Sequence, residues 1–365
     1  MDAAAFHRLS FVELPFWAGT DHAPALSAFA RSAAPLLAGT VRTGTLGVDA
    51  AAFRPAAEAA LDAHPGDATA FFEAHFAPAL IRPGNAAARG FVTGYYEPEL
   101  VASAVRTERF TVPLHRPPPD LVKVHEGTRP PGLDDSFVFA RRRPDGRLEE
   151  HPDRAAIARG FLDGRGLEIA WLEDPVDAFF IHVQGSARLE LQDGRRMRVG
   201  YAAKTGHGFT AIGRILVNEG ELVLEKADMD GIRRWLAENP HRVRDLLDRN
   251  RSYIFFVATA LDDESLGPNG AAGVPLTALA SLAMDHRLHT FGMPVFLDAP
   301  SLILEGAPFR RLLVAQDTGS AILGPARGDI FVGSGDAAGS TAGAIRHAAD
   351  FVALLPKSLW EGLAP

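Results

Sequence analysis

From residue 89 onward the sequence breaks into short β-type runs joined by Gly- and Pro-rich connections of unequal length, with no regular strand-helix alternation. A parallel βαβ sheet needs that alternation, so the pattern favours a barrel and a mainly β chain with peripheral helices. Phe91, Thr93 and Tyr95 alternate with Val92, Gly94 and Tyr96, the two-residue period of a strand, and Pro98 ends the run. Pro144-Asp145-Gly146 and Gln192-Asp193-Gly194 read as hairpin turns, the second flanked by strand-like segments at 179–191 and 196–201. Further strands are expected at 253–259, 294–297, 311–315 and 329–332, and short helices at 153–162, 210–219, 229–238 and 241–249.

The Ala-rich stretch 24–80 reads as two or three helices, with Asp67 as an N-cap, Phe71, Phe72 and Phe76 on an apolar face, and Pro78 as the stop. Between 112 and 136, Pro113, Pro117, Pro118, Pro119, Pro130 and Pro131 crowd together. They predict a loop or a crossing between domains. At 365 residues the chain has room for about two domains.

Composition removes several functions. With no cysteine there is no disulfide framework, thiolate metal site, thiol nucleophile or acylated cysteine within the sequence as written. A charge of -8 argues against sequence-independent binding to a nucleic acid backbone, which needs a basic surface. No apolar run reaches the roughly 18 residues of a membrane helix. The start, Met1 to Arg8, lacks the basic and apolar regions of a signal peptide, which predicts either an internal protein or one whose export signal has been removed. His286 and His289 stand three apart without an acidic third ligand at metal-site spacing, so no metal and no cofactor is expected.

The densest chemistry lies in Val314-Ala315-Gln316-Asp317-Thr318-Gly319-Ser320 and Gly328-Asp329-Ile330-Phe331-Val332-Gly333-Ser334-Gly335-Asp336. Three aspartates fall beside glycines or at strand ends, where a backbone can turn and present a carboxylate. Asp317-Thr318-Gly319-Ser320 matches the aspartic protease tetrapeptide, but no second Asp-Thr-Gly or Asp-Ser-Gly supplies the other half of a dyad. Gly333-Ser334-Gly335-Asp336-Ala337-Ala338 matches a dinucleotide-binding turn, with no correctly placed acidic ribose ligand after it. Glycosidic cleavage fits better. One carboxylate suffices when the substrate supplies an intramolecular hydroxyl of high effective molarity.

With these motifs in place, the sequence resembles the membrane-bound lytic murein transglycosylase A family. The likeness rests on Val314 to Gly339, Thr93-Gly94-Tyr95-Tyr96-Glu97-Pro98, Val183-Gln184-Gly185-Ser186, the stretch 201–207, Ile212-Gly213-Arg214 with Gly220, and 250–256, in that family's order. The resemblance implies a double-psi β-barrel formed by 1–98 and 251–365, a second β-barrel-like domain inserted over 99–250, and a glycan groove between them. It implies non-hydrolytic cleavage of the β-1,4 bond between N-acetylmuramic acid and N-acetylglucosamine in peptidoglycan, leaving a 1,6-anhydro ring. Asp329 matches the position of the acid and base, with Asp317 orienting it or supporting the groove. Thr93, Tyr95, Tyr96, Gln184, Gly185, Ser186, Lys204, His207 and Asp336 are the expected glycan contacts, Asp336 being equally explained by a turn. Six cations between Ser186 and Arg214 against Glu190 and Asp193 make the insert locally basic, which suits an anionic glycopeptide. A monomer is expected, periplasmic and in association with the outer membrane, although the family's lipidated cysteine is absent; the chain reads as a trimmed mature domain or an untethered member. The rival is a peptidoglycan-binding barrel without activity, since the fold alone does not choose.

Overall fold

The structure is a computed structural model that describes residues 5–83, 89–125, 127, 129–130, 132–134, 137–261 and 263–362. The first four residues of the Met1–Arg8 segment and Pro131 of the Pro-rich stretch lie outside them. The chain divides into two compact units, one of residues 1–96, 265–333 and 337–365, the other of 97–264 and 334–336.

The first strands of the first unit are β1 (Phe6–Arg8), β2 (Phe76–Ile81) and β3 (Gly90–Glu97), whose last residue, Glu97, is counted with the second unit. The second unit holds β4 (Glu99–Ala102), β5 (Val112–His115), β6 (Leu121–Lys123), β7 (Phe139–Arg142), β8 (Leu148–Glu149), β9 (Glu168–Leu172), β10 (Ser186–Leu191), β11 (Arg196–Lys204) and β12 (Ile254–Ala260). The chain then returns through β13 (Ser281–Met284), β14 (Pro294–Leu304), β15 (Ala307–Asp317), β16 (Arg327–Ser334) and β17 (Arg346–Pro356).

In the first unit the order β17-β14-β15-β13-β16-β3 closes on itself because β17 also pairs with β3, giving a six-stranded barrel. Closure removes the open edges that a sheet of this length would expose. β2 extends the sheet from the far half of β17, and β1 pairs with β2. Barrel-facing positions are apolar throughout: Val295, Leu297, Leu313, Ala315, Phe351 and Ala353 are fully buried. Helix Ala23–Leu37 covers the barrel with Leu26, Phe29, Ala33 and Leu36. Phe29 meets Phe76 edge-on at 5.6 Å between ring centroids, a favoured aromatic geometry.

The second unit is built on a four-stranded sheet, β12-β11-β10-β4, with two smaller sheets, β5-β9 and β6-β7-β8. Its strand β12 pairs antiparallel with β11, so residues 251–264, which the sequence reading gives to the first domain, belong here.

Several expectations are corrected. The segment 179–184 is not strand: Pro175–Gln184 is a helix, capped by the Asp174 side chain on the Val176 N-H and ended by Gly185 at φ 83°. An apolar run of that length does not distinguish strand from buried helix, and the capping Asp and first-turn Pro decide it. The Pro-rich stretch contains β5 and β6, with Pro113 on a strand of a two-stranded sheet where one missing N-H is tolerated. Pro78 lies inside β2, the preceding helix having ended at His75, and Asp67 occupies the N-cap position without a side-chain bond. Both Asp-Gly turns form as expected, with Gly146 and Gly194 at φ 84°.

Candidate active site

Two neighbouring barrel strands carry the site. On β3 alternation sends Val92 and Tyr96 into the core and leaves Thr93 and Tyr95 on the other face, half-buried. On β16, Gly328 and Ile330 are buried, while Arg327 and Asp329 are partly exposed. The Thr93 hydroxyl donates to Asp329 Oδ1 at 2.6 Å. An Arg327 N-H donates to the same hydroxyl oxygen at 2.8 Å. The guanidinium is further held by the Gly328 carbonyl and lies over the Phe91 ring, 5.5 Å from its centroid.

Asp317 ends β15 next to Gln316, at a register shift against β13 that leaves Gln316 as the extra residue. Gln316 is fully buried; its Nε2 donates to the Ala28 carbonyl at 2.7 Å and to Ser32 at 2.8 Å, and its Oε1 accepts from Ser281, which ties the strand to helix Ala23–Leu37. Asp317 accepts from the Tyr95 hydroxyl at 2.8 Å and from the Ala271 N-H at 2.9 Å. Gly270 makes the second bond possible. A Cβ there would stand 2.5 Å from the Gln316 carbonyl oxygen, so only glycine lets this loop press against the strand.

The electrostatics separate the two carboxylates from ordinary surface aspartates. Burial pushes Asp329 up to about 6, opposed by the Thr93 hydrogen bond and the Arg327 charge and assisted by the charge of Asp317. Asp317 is also raised by burial, against the pull of Ala271 and Tyr95. Tyr95 is pushed well above its usual value by burial and the neighbouring carboxylates, so its hydroxyl remains a donor. A carboxylic acid whose pKa is raised toward neutrality and that is only partly covered is suited to protonate a leaving oxygen.

The structure therefore brings together Thr93, Tyr95, Asp317 and Asp329, and adds Arg327 and the Ala271 N-H, which the sequence reading missed. Arg327 stands two residues before Asp329, on the same face of a strand, and that spacing was its signal. Tyr96 has a different place: it is 6% exposed, and a Cβ at Gly339 would sit 2.8 Å from its ring, so the ring packs on helix Asp336–Ala344 as core.

The remaining expected contacts belong to the second unit. Gln184 and Gly185 end helix Pro175–Gln184, and Ser186 is buried at the start of β10. Lys204 ends β11 half-buried, its pKa lowered by burial. His207 is not a surface contact: it is 2% exposed, its Nε2 lies 2.6 Å from the His151 carbonyl, and its ring meets Phe137 edge-on. Asp336 is exposed at the first position of its helix.

The basic character of the insert is also corrected. Arg188 and Arg198 turn onto the fully buried Glu97, Arg196 pairs with Glu264 and Arg195 with Asp193, so four of the six cations are neutralised, three of them by acids distant in sequence. His289 is buried with Nε2 2.8 Å from the Pro325 carbonyl, and His286 pairs with Thr318. Among the described residues no three His, Asp or Glu side chains are grouped to hold a metal, and no helix is long and apolar enough to cross a membrane.

A family model described as the MltA specific insert domain matches residues 91–257, and one described as the 3D domain matches residues 280–355. The membrane-bound lytic murein transglycosylase A of Vibrio cholerae is 35% identical over 202 residues, which is 54% of this chain and 54% of that protein. The chain thus spans about half the length of that curated relative. The crystal structure of the membrane-bound lytic murein transglycosylase from Agrobacterium tumefaciens is 45% identical, covers 99% of this chain and 100% of its own, and superposes with a TM-score of 0.92. A structure of Escherichia coli MltA with bound chitohexaose is 25% identical, with 96% of this chain and 94% of that one covered and a TM-score of 0.69. By sequence, by both domain models and by fold, this chain belongs to the membrane-bound lytic murein transglycosylase A family.

Proposed function

We propose that the protein is a peptidoglycan lytic transglycosylase in which Asp329 is the single acid and base. The observation that carries this reading is the Asp329 carboxyl itself, raised to about 6 by burial yet partly open, with one oxygen held by Thr93. Protonated Asp329 gives its proton to the glycosidic oxygen as the bond from C1 of N-acetylmuramic acid breaks. The resulting carboxylate takes the proton of the C6 hydroxyl of the same sugar as that oxygen closes on C1. The proton balance is restored, no water is consumed, and the product end is a 1,6-anhydro ring. An ordinary glycosidase needs a second carboxylate free to act as nucleophile or base. Asp317 is engaged on both oxygens by Tyr95 and Ala271, which favours a supporting role.

The glycan bound in the Escherichia coli structure supports glycan strands as the substrate class, and the names of the relatives support murein as the polymer. Such a substrate places the enzyme in the periplasm. The six-stranded barrel, with β13 parallel to β15 among antiparallel neighbours, is read as a double-psi barrel. Digestion of purified sacculi followed by mass spectrometry tests the reading. Anhydromuropeptides are expected; hydrolysed reducing ends, or intact sacculi, would overturn it.

A further inference from the structure

We infer that Arg327 is a positioning residue that, through the Thr93 hydroxyl, fixes the acidic proton of Asp329 on Oδ2. The inference rests on the role proposed for Asp329 and goes one step further, to which carboxyl oxygen delivers the proton. A guanidinium has donors only, whereas a threonine hydroxyl has one proton and two lone pairs. The Arg327 N-H at 2.8 Å from Thr93 Oγ1 therefore makes that oxygen an acceptor. The single hydroxyl proton is left to point along the 2.6 Å line to Asp329 Oδ1. An oxygen that accepts a bond this short cannot also carry a proton on the same line. The carboxyl proton consequently resides on Oδ2, which no donor or acceptor among the described residues reaches.

Arg327 is anchored for this task. It is partly buried, with the Gly328 carbonyl, the Phe91 face and the Thr93 hydroxyl each holding a different part of the guanidinium. A lysine would supply the charge without the planar fork. The charged and titratable groups that act on Asp329 are Arg327 on its own strand, Asp317 of β15, and the Tyr95 hydroxyl of β3, which carries no charge at neutral pH. Arg327 and Thr93 both favour the carboxylate, so they hold Asp329 below the level to which burial alone would take it.

The chain of bonds runs one way: cation to hydroxyl, hydroxyl to Oδ1, proton on Oδ2. In the first chemical step Oδ2 gives up its proton, and Thr93 stays in place to stabilise the charge that appears. In the second step Oδ2 recovers a proton from the sugar hydroxyl. Without the Thr93 proton the two oxygens compete for the acidic hydrogen, and half of the population presents it away from the substrate.

The test is the pH dependence of kcat/KM on sacculi for Thr93→Val, Thr93→Ser, Arg327→Met, Arg327→Lys and the double variant Thr93→Val/Arg327→Met. Loss of either donor disfavours the carboxylate, so the descending limb moves to higher pH, by on the order of half a unit to one unit. Turnover falls about tenfold in Thr93→Val, a rough figure for losing one hydrogen bond to a charged group. Thr93→Ser, which keeps the hydroxyl, retains the wild-type limb, and Arg327→Lys recovers less than Thr93→Ser does. Because the two residues act in series, the double variant falls short of the sum of the singles. A Thr93→Val enzyme with unchanged limb and turnover, or strict additivity in the double variant, overturns the relay. Anhydromuropeptide production that persists in Asp329→Asn would instead defeat the assignment of the acid, a separate result.

Discussion

Asp317 and Asp329 are each in register with the same residue, Ala283, one on either side of β13. Two strand spacings place their backbones about 9 to 10 Å apart, too far for a shared proton and near enough for a weak mutual repulsion. The causes of the Asp329 shift agree, since burial comes first and the Asp317 charge last. Asp317→Asn is therefore expected to keep the anhydro product, to lose on the order of tenfold in kcat, and to move the descending pH limb slightly downward, because a like charge is removed. Asp329→Asn loses roughly 10²- to 10⁴-fold, the usual worth of a general acid and base. Equal inactivation of the two variants, measured by anhydromuropeptide release, would make Asp317 a direct participant.

The raised pKa of Asp329 also predicts a cost in stability. The folded value, about 6, lies above the ordinary 3.8, so folding disfavours the ionised form. Nothing is lost below pH about 4, where the group is protonated in both states, and stability falls as pH rises through about 6. Discounted for the partial exposure of the group, the penalty at pH 7 is about 1 to 3 kcal/mol. Asp329→Asn should then melt higher than the wild type at pH 7 and show no such gain at pH 3.5. Calorimetry that finds no difference between the two pH values would remove the strain from the site.

The sequence made one kind of feature visible and hid another. Thr93, Tyr95 and Asp329 were legible because strand alternation and a local motif place them, and the short helices because Asp228 caps Met229–Glu238 and Gly220, at φ 74°, follows Ile212–Asn218. Helix Pro175–Gln184 was misread because periodicity cannot separate a buried strand from a buried helix over ten residues. β2, β13 and the second half of β17, residues 351–356, were missed because they are apolar on both faces, so no alternation marks them. The inward turn of Arg188 and Arg198 was not legible at all: their partner Glu97 lies about ninety and one hundred positions away, and only the fold brings them together.

That ion cluster gives a further prediction. Glu97 is fully buried and accepts from Arg188, Arg198 and the Ser334 hydroxyl, while its carbonyl takes the Gly335 N-H. Arg188 reaches on to Glu99 and to the Glu264 carbonyl. Removing the central acid takes from two largely buried cations the carboxylate they share, Arg188 keeping its bond to Glu99, which costs about 3 kcal/mol. Glu97→Ala should lower the denaturant midpoint accordingly. Conversion of Arg188 and Arg198 to Met in the same background should recover part of the loss, and no recovery would mean that the carboxylate acts through packing rather than charge.

The second unit should loosen in acid. His115 is held down to about 4 and His182 well below its ordinary value, both by burial, with Arg154 adding repulsion at His182. The His115 ring nitrogen pairs with the Tyr253 hydroxyl at 2.7 Å, and His182 stands edge-on to the same tyrosine, 4.3 Å between ring centroids. A histidine whose folded value lies below 6.5 binds its proton preferentially in the unfolded chain. Stability is then intact above about 6.5 and lost as pH falls toward 4, at up to about 1.4 kcal/mol per pH unit for each group. Hydrogen exchange, corrected for intrinsic rates, should show amides of β5, β9 and β12 losing protection between pH 6.5 and 5. His115→Leu should weaken protection at pH 7, by loss of the Tyr253 bond, and flatten its pH dependence. Equal slopes in variant and wild type would place the acid sensitivity elsewhere in the core.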